Sequence, residues 1–244
     1  GPDVSGEALA AALSRAVERG TRHTAGCSYL DLSSTAAAAE RGLDGHDGRF
    51  GVGFLPSWEG DSIELAVTGS QNLTGPPRDA GDVLEADIRL NAQDYTFVSV
   101  SGGALPTPRA GTELADLDYT LTHEIGHVLG LAHVCWVDPK EAALVDSAGV
   151  PLAPCDTLSA NDPRRRSVMY PQAMSEPGWD LSADDAAGVC EIYPATVRVV
   201  PACHRVVEGG CAVAGDAPGA TPWVLAALAL LWLNRRVNSV RYRP

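Results

Sequence analysis

The chain has 244 residues, 45% of them hydrophobic, enough to bury one substantial core or two small lobes around a cleft. Its formal net charge of −13 excludes the dense basic surface that nucleic acid or anionic lipid would need. The one compact basic run, Arg164-Arg165-Arg166, reads as a solvated loop.

In chain order, Gly1-Pro2 resembles the scar of a removed expression tag, so the lack of a visible signal peptide carries no information about secretion. Residues 7–19 are Ala-rich, with Leu9, Leu13, Ala16 and Val17 spaced for one buried helical face. Strands are expected at 27–32 and 49–55, separated by the Gly-rich turn Asp44-Gly45-His46-Asp47-Gly48. A third is expected at 63–68 and, after the breaker Gly75-Pro76-Pro77, a fourth at 84–90 with the period of two that a sheet requires. A long loop should then lead to a helix carrying HEIGHVLGLAH, residues 123–133.

That run holds the chemistry. A helix repeats every 3.6 residues, so His123 and His127 project from one face about a turn apart, where two imidazoles can grip a single Zn²⁺. Glu124 stands beside them, close enough to handle water at the metal. Gly130 tolerates the left-handed backbone that ends a helix, and His133 returns from the following loop as a third ligand. Three protein ligands leave a fourth position open, the mark of a catalytic rather than a closed structural zinc. Leu121, Ile125, Val128 and Leu129 fall on the opposite side for packing.

The run resembles the zinc motif of the metzincin metallopeptidases, and Ser167-Val168-Met169-Tyr170-Pro171 resembles the methionine turn that lies beneath the metal in that clan. The SVMYP form, the following Leu181 to Val189 segment and Ile192-Tyr193-Pro194 are most similar to the matrixins, the matrix-metalloproteinase-like branch, over most of the chain up to Pro194. Val134 departs from that pattern, since animal matrixins usually carry Ser after the third histidine. The resemblance implies an α+β fold, with an upper lobe (3–130) of mixed twisted sheet backed by helices and a small irregular lower lobe (131–194) with the methionine turn and a last helix. It implies peptide-bond hydrolysis by zinc-activated water, with Glu124 as general base and then acid, and Met169 as an apolar floor without direct chemistry. An extended protein or peptide substrate would add as a strand along 63–68, with Ala66 and Val67 at the rim, while Tyr170 and Pro171 would wall the specificity pocket. The protein is expected to be a monomer. A structural calcium belongs to the family, but its HxD ligand pattern is not visible around His46. His23 and His204 read as surface residues.

Within the lower lobe, a helix is expected at 182–192, capped by Ser182 with Asp184 and Asp185 favourably placed in its first turn, which makes both aspartates structural. Six cysteines allow fifteen complete pairings. The preferred ones are Cys135 with Cys155 across the loop before the methionine turn and Cys27 with Cys190, leaving Cys203 and Cys211. Disulfides fit a secreted or surface protein in an oxidising compartment.

After a linker at 195–219, residues 220–244 carry an apolar stretch from Trp223 to Leu233 followed by Arg235-Arg236, shorter than the roughly 20 residues of a spanning helix. Gly210-Cys211, the apolar stretch and the Arg pair resemble the C-terminal sorting tails of myxobacterial surface proteins, which implies engagement with export or anchoring machinery. A final buried helix is the competing reading. Asn72-Leu73-Thr74 fits a glycosylation acceptor formally, a reading the bacterial character of the tail empties.

The leading expectation is a secreted or surface zinc endopeptidase. Its rival is a surface-displayed binding or adhesion module with zinc kept for structure, against which the intact Glu124 argues. A latent zymogen is the third reading. No cysteine switch motif precedes the catalytic region, so a blocking group would be Asp3 or the tail itself.

Overall fold

The computed structural model describes residues 4–30, 32–34, 43, 50–72, 83–99, 107–137, 145–146, 149–172, 179–195 and 239–242. They form an α+β arrangement of a four-stranded mixed sheet, a two-stranded parallel ribbon and three α-helices. The elements are α1 (Gly6–Arg22), β1 (Gly51–Leu55), β2 (Ala66–Asn72), β3 (Val83–Asn91), β4 (Tyr95–Val98), β5 (Glu113–Asp116), α2 (Leu117–Val128), α3 (Ala183–Ile192) and β6 (Ser239–Tyr242).

Helix α1 begins where the Ser5 side chain accepts the Ala8 amide, as an N-cap should. Its inward face is Ala12, Ala16 and Gly20, narrower than the leucine face the spacing predicts; Leu9, Leu13 and Val17 pack at its margins. The small residues let α1 approach α2 closely. A Cβ on Gly20 would stand 2.9 Å from Ile125 Cγ2, so the helices meet backbone to side chain there. Arg15 clamps the pair, its Nε lying 2.6 Å from Asp118 Oδ1 of α2.

The sheet runs in the order β1-β3-β2-β6. Strand β3 is parallel to β1 and antiparallel to β2, and β6 is antiparallel to β2. Ile88 and Leu90 from β3 join Leu65, Ala66, Leu117, Leu121, Ile125 and Met169 in the main core, to which the sheet and the packed pair α1 and α2 contribute. Three sequence expectations need correction. The described residues 27–30 and 32 do not enter a sheet ladder; Ser28 forms an isolated bridge to Pro194, and the Cys27–Cys190 disulfide fixes this stretch against α3 rather than against a strand. The third strand starts at Ala66 instead of residue 63, since Asp61 accepts the Ile63 and Glu64 amides and turns the chain, leaving Ile63 exposed. The loop expected before the zinc-type helix instead carries the parallel pair β4 and β5, whose tyrosine and phenylalanine are buried in the core. These strands are only four residues each, too short for their periodicity to stand out.

Both preferred disulfides are present, Cys27–Cys190 and Cys135–Cys155, with Cα separations of 5.4 and 5.0 Å. They point to an extracellular or otherwise oxidising environment. Cys203, Cys211, His46, His204 and the apolar stretch 223–233 lie outside the described residues. Among the described residues no helix is long and apolar enough to cross a membrane.

Candidate metal centre

Asp116 ends β5 and caps α2, its carboxylate accepting the Asp118 and Tyr119 amides. From that start, residues Leu117 to His127 are all buried, so α2 is a core helix. It ends as the sequence predicts. Gly130 has φ of +87°, the Gly130 amide bonds to the His127 carbonyl, and the Leu131 amide reaches back to the Gly126 carbonyl. This paired closure is a Schellman motif, and it reverses the chain so that His133 comes back toward the helix.

The three imidazoles converge. Their Nε2 atoms are 3.0 Å apart for His123 and His127, 3.2 Å for His123 and His133, and 3.3 Å for His127 and His133. An ion bound tetrahedrally at about 2.1 Å from each nitrogen requires spacings of about 3.4 Å, so the trio fits one small cation with little adjustment. Ring orientation agrees. His123 Nδ1 donates to the Val168 carbonyl at 2.5 Å and His127 Nδ1 donates to the Leu131 carbonyl at 2.7 Å, which leaves both Nε2 lone pairs facing the common point. Burial is the main cause that holds all three rings neutral, with the neighbouring rings adding to it at His123 and His133. His123 and His133 are held well below their ordinary value near 6.5 and His127 is lowered to about 4. Three buried neutral lone pairs at this spacing repel one another, and a cation converts that repulsion into attraction. The trio could therefore hold a metal ion.

Glu124 is fully buried on the same helix. Its Oε2 accepts from Thr68 Oγ1 of β2 at 2.5 Å, while Oε1 has no hydrogen-bond partner among the described residues. Burial pushes this carboxyl up to about 8, against the opposing effect of the Thr68 hydrogen bonds. An acid held half-satisfied in this way is able both to take and to release a proton near neutral pH.

Met169 is fully buried in the core. It touches α2 at Gly126, where a Cβ would collide with the Met169 sulfur, so the glycine between the two helical ligands makes room for the methionine. Ser167 accepts the Met169 amide and donates to Asp185. Asp185 also completes a capping box with Ser182 at the start of α3. Thus Asp185, expected to serve its own helix, also anchors the turn whose Val168 carbonyl orients His123. Asp184 is exposed.

The remaining predicted residues fall in two places. Ala66 and Val67 begin β2 and are buried. Tyr170 is fully buried in a second cluster with Cys135, Cys155 and Leu158, and its hydroxyl donates to Gln172; Pro171 is buried beside it. The sequence reading missed Thr68 as the partner of Glu124, the Val168 and Leu131 carbonyls as ring acceptors, and Gly126 as the seat of Met169. Only Gly126 carried a signal, a helix-weakening residue inside a motif otherwise suited to a helix.

Neither models of protein families nor curated proteins match this chain.

Proposed function

We propose that the protein is a zinc-dependent endopeptidase of the metzincin, matrixin-like type, acting outside the cytoplasm. The carrying observation is the convergence of three neutral, buried imidazole nitrogens next to a buried carboxylic acid that has one unpartnered oxygen. His123, His127 and His133 would hold the ion; all-nitrogen three-ligand sets with a nearby carboxylate suit zinc among the common cations. When bound, zinc supplies Lewis acidity toward a peptide carbonyl and toward water.

The chain's own residues do the rest. Glu124 accepts the proton of the attacking water through Oε1 and delivers it to the leaving amine. Thr68 holds the other carboxylate oxygen, so the acid cannot turn away. The Val168 and Leu131 carbonyls fix the tautomers of His123 and His127, and Met169 packs against α2 at Gly126, between them in sequence. Strand β2, through Thr68, links the base to the sheet edge along which an extended peptide would align.

The test is hydrolysis of an unfolded protein by the zinc-loaded wild type and by Glu124→Ala, each with and without chelator. The expected outcome is cleavage by the untreated wild type alone, with the variant down by at least about 10²-fold and still carrying one equivalent of zinc. A wild type that binds zinc tightly in this trio and cuts nothing, even with its C-terminal segment displaced, would favour the adhesion-module reading instead.

A further inference from the structure

Strand β2 has two sides. One pairs with β3 inside the sheet, and the other is covered by β6, in the register Ala66 with Tyr242, Val67 with Arg241, Thr68 with Val240 and Gly69 with Ser239. A strand edge carries one set of backbone donors and acceptors, so a second chain cannot pair with β2 while β6 is there. The covered stretch includes Thr68, whose hydroxyl holds the Glu124 carboxylate. The C-terminal segment therefore passes directly across from the residue that positions the proposed base.

We propose that residues Ser239–Tyr242 are a built-in occupant of the peptide-binding edge, lying there as an added antiparallel strand and excluding an extended peptide until they are displaced. The inference rests on the peptidase reading for its consequence, but the strand contact stands apart from it. Two further features favour occupancy by the chain's own end. Residues 235–244 carry four arginines and no acidic side chain, whereas the whole chain has a net charge of −13, so the cationic end is drawn to an acidic body. The roughly 40 residues between Ala195 and Ser239 could span more than about 100 Å if extended, ample for closure within one molecule. Such tethering sets an effective concentration on the order of millimolar, enough to compete with dilute substrate.

The experiment compares the full-length protein with its Val240→Pro, Arg241→Pro double variant. In an antiparallel pair, adjacent residues point their amides to opposite sides, so two successive prolines remove at least one bond to β2 whichever way the strand faces. Amide hydrogen exchange at 66–69 is read alongside the cleavage rate on an unfolded protein. The expected result is faster exchange at the outward amides of β2 and a cleavage rate raised about tenfold or more, reversed by adding the free peptide Val237 to Pro244. Unchanged exchange overturns the inference whatever the activity, and so does lost protection with an unchanged cleavage rate in an active enzyme. Protection that disappears on dilution of the wild type also overturns it, because the strand would then come from a second copy. Lost protection with no cleavage by either form counts against the peptidase reading alone, and leaves the strand contact established.

Discussion

At the scale of single residues, the centre depends on a few contacts that can be removed one at a time. Thr68→Val deletes the hydroxyl that donates to Glu124, and with it a hydrogen bond that favours the charged carboxylate. On the peptidase reading, the acid limb of the rate profile should therefore move to higher pH, with turnover at neutral pH down about tenfold and zinc content unchanged. Thr68→Ser should restore most of the loss. Gly126→Ala drives a methyl into Met169, a buried side chain with little room to move. The expected cost is about 1–3 kcal/mol by chemical denaturation, and in a double-mutant cycle Met169→Ala should recover part of it. An alanine at 126 that costs nothing would mean the methionine is not held against the helix. The grouping of the three histidines was legible in the sequence because helical geometry aligns His123 with His127 and Gly130 turns the chain toward His133. Thr68 was not, since nothing local links residue 68 to residue 124.

Among elements, the decisive junction is between the turn at Ser167 to Tyr170 and α3. Asp185 accepts from Ser182 at the cap and from Ser167 in the turn, and burial raises its carboxyl despite those bonds. Asp185→Ala should cost about 1–3 kcal/mol through the lost cap and the orphaned Ser167. If the proposed zinc binds at the three histidines, the substitution should also weaken that binding, because the turn supplies the carbonyl that orients His123; Asp184→Ala, at an exposed site, should do neither. A competition assay with a chromophoric chelator separates the two. The sequence reading found α1, β1, β3, α2 and α3 by periodicity and caps, and displaced β2 by three residues because an apolar Ile63 looked like strand although Asp61 turns the chain there. Strand β4 escaped notice because it is buried at all four positions and shows no alternation, and β5 because four residues are too few for a period to stand out.

Across the whole molecule, folding brings three histidines and a glutamic acid out of water, and pH should report it. Each histidine is held below its unfolded value, so the folded chain refuses protons that the unfolded chain takes up as pH falls below about 6.5. Stability of the metal-free protein should drop between pH 6.5 and 4, with His127, lowered to about 4, contributing on the order of 3 kcal/mol. Glu124 acts in the opposite sense, keeping its proton in the fold up to about 8, so its effect is a loss of stability as pH rises. Three groups outweigh one, and the acid side dominates. Denaturation midpoints across this range check it; a flat profile would mean the histidines are not buried neutral together. The disulfide Cys27–Cys190 closes most of the chain, with a separation of 163 residues, and replacing both cysteines by serine should lower stability by about 3–5 kcal/mol.

What the sequence determined by itself is local: which helix carries His123 and His127, and where Gly130 turns the chain to bring His133 back to them. These follow from spacings within eleven residues, over which helix geometry acts as a ruler. The preferred disulfide pairs were an expectation the fold agrees with, although fifteen pairings were open. Tertiary structure alone decided which oxygen of Glu124 is held and which is bare, which carbonyls orient the rings, and that the C-terminal strand lies along β2. Apart from the local His127–Leu131 bond, those contacts join residues dozens of positions apart, and their meeting is set by how helices and sheet pack in three dimensions.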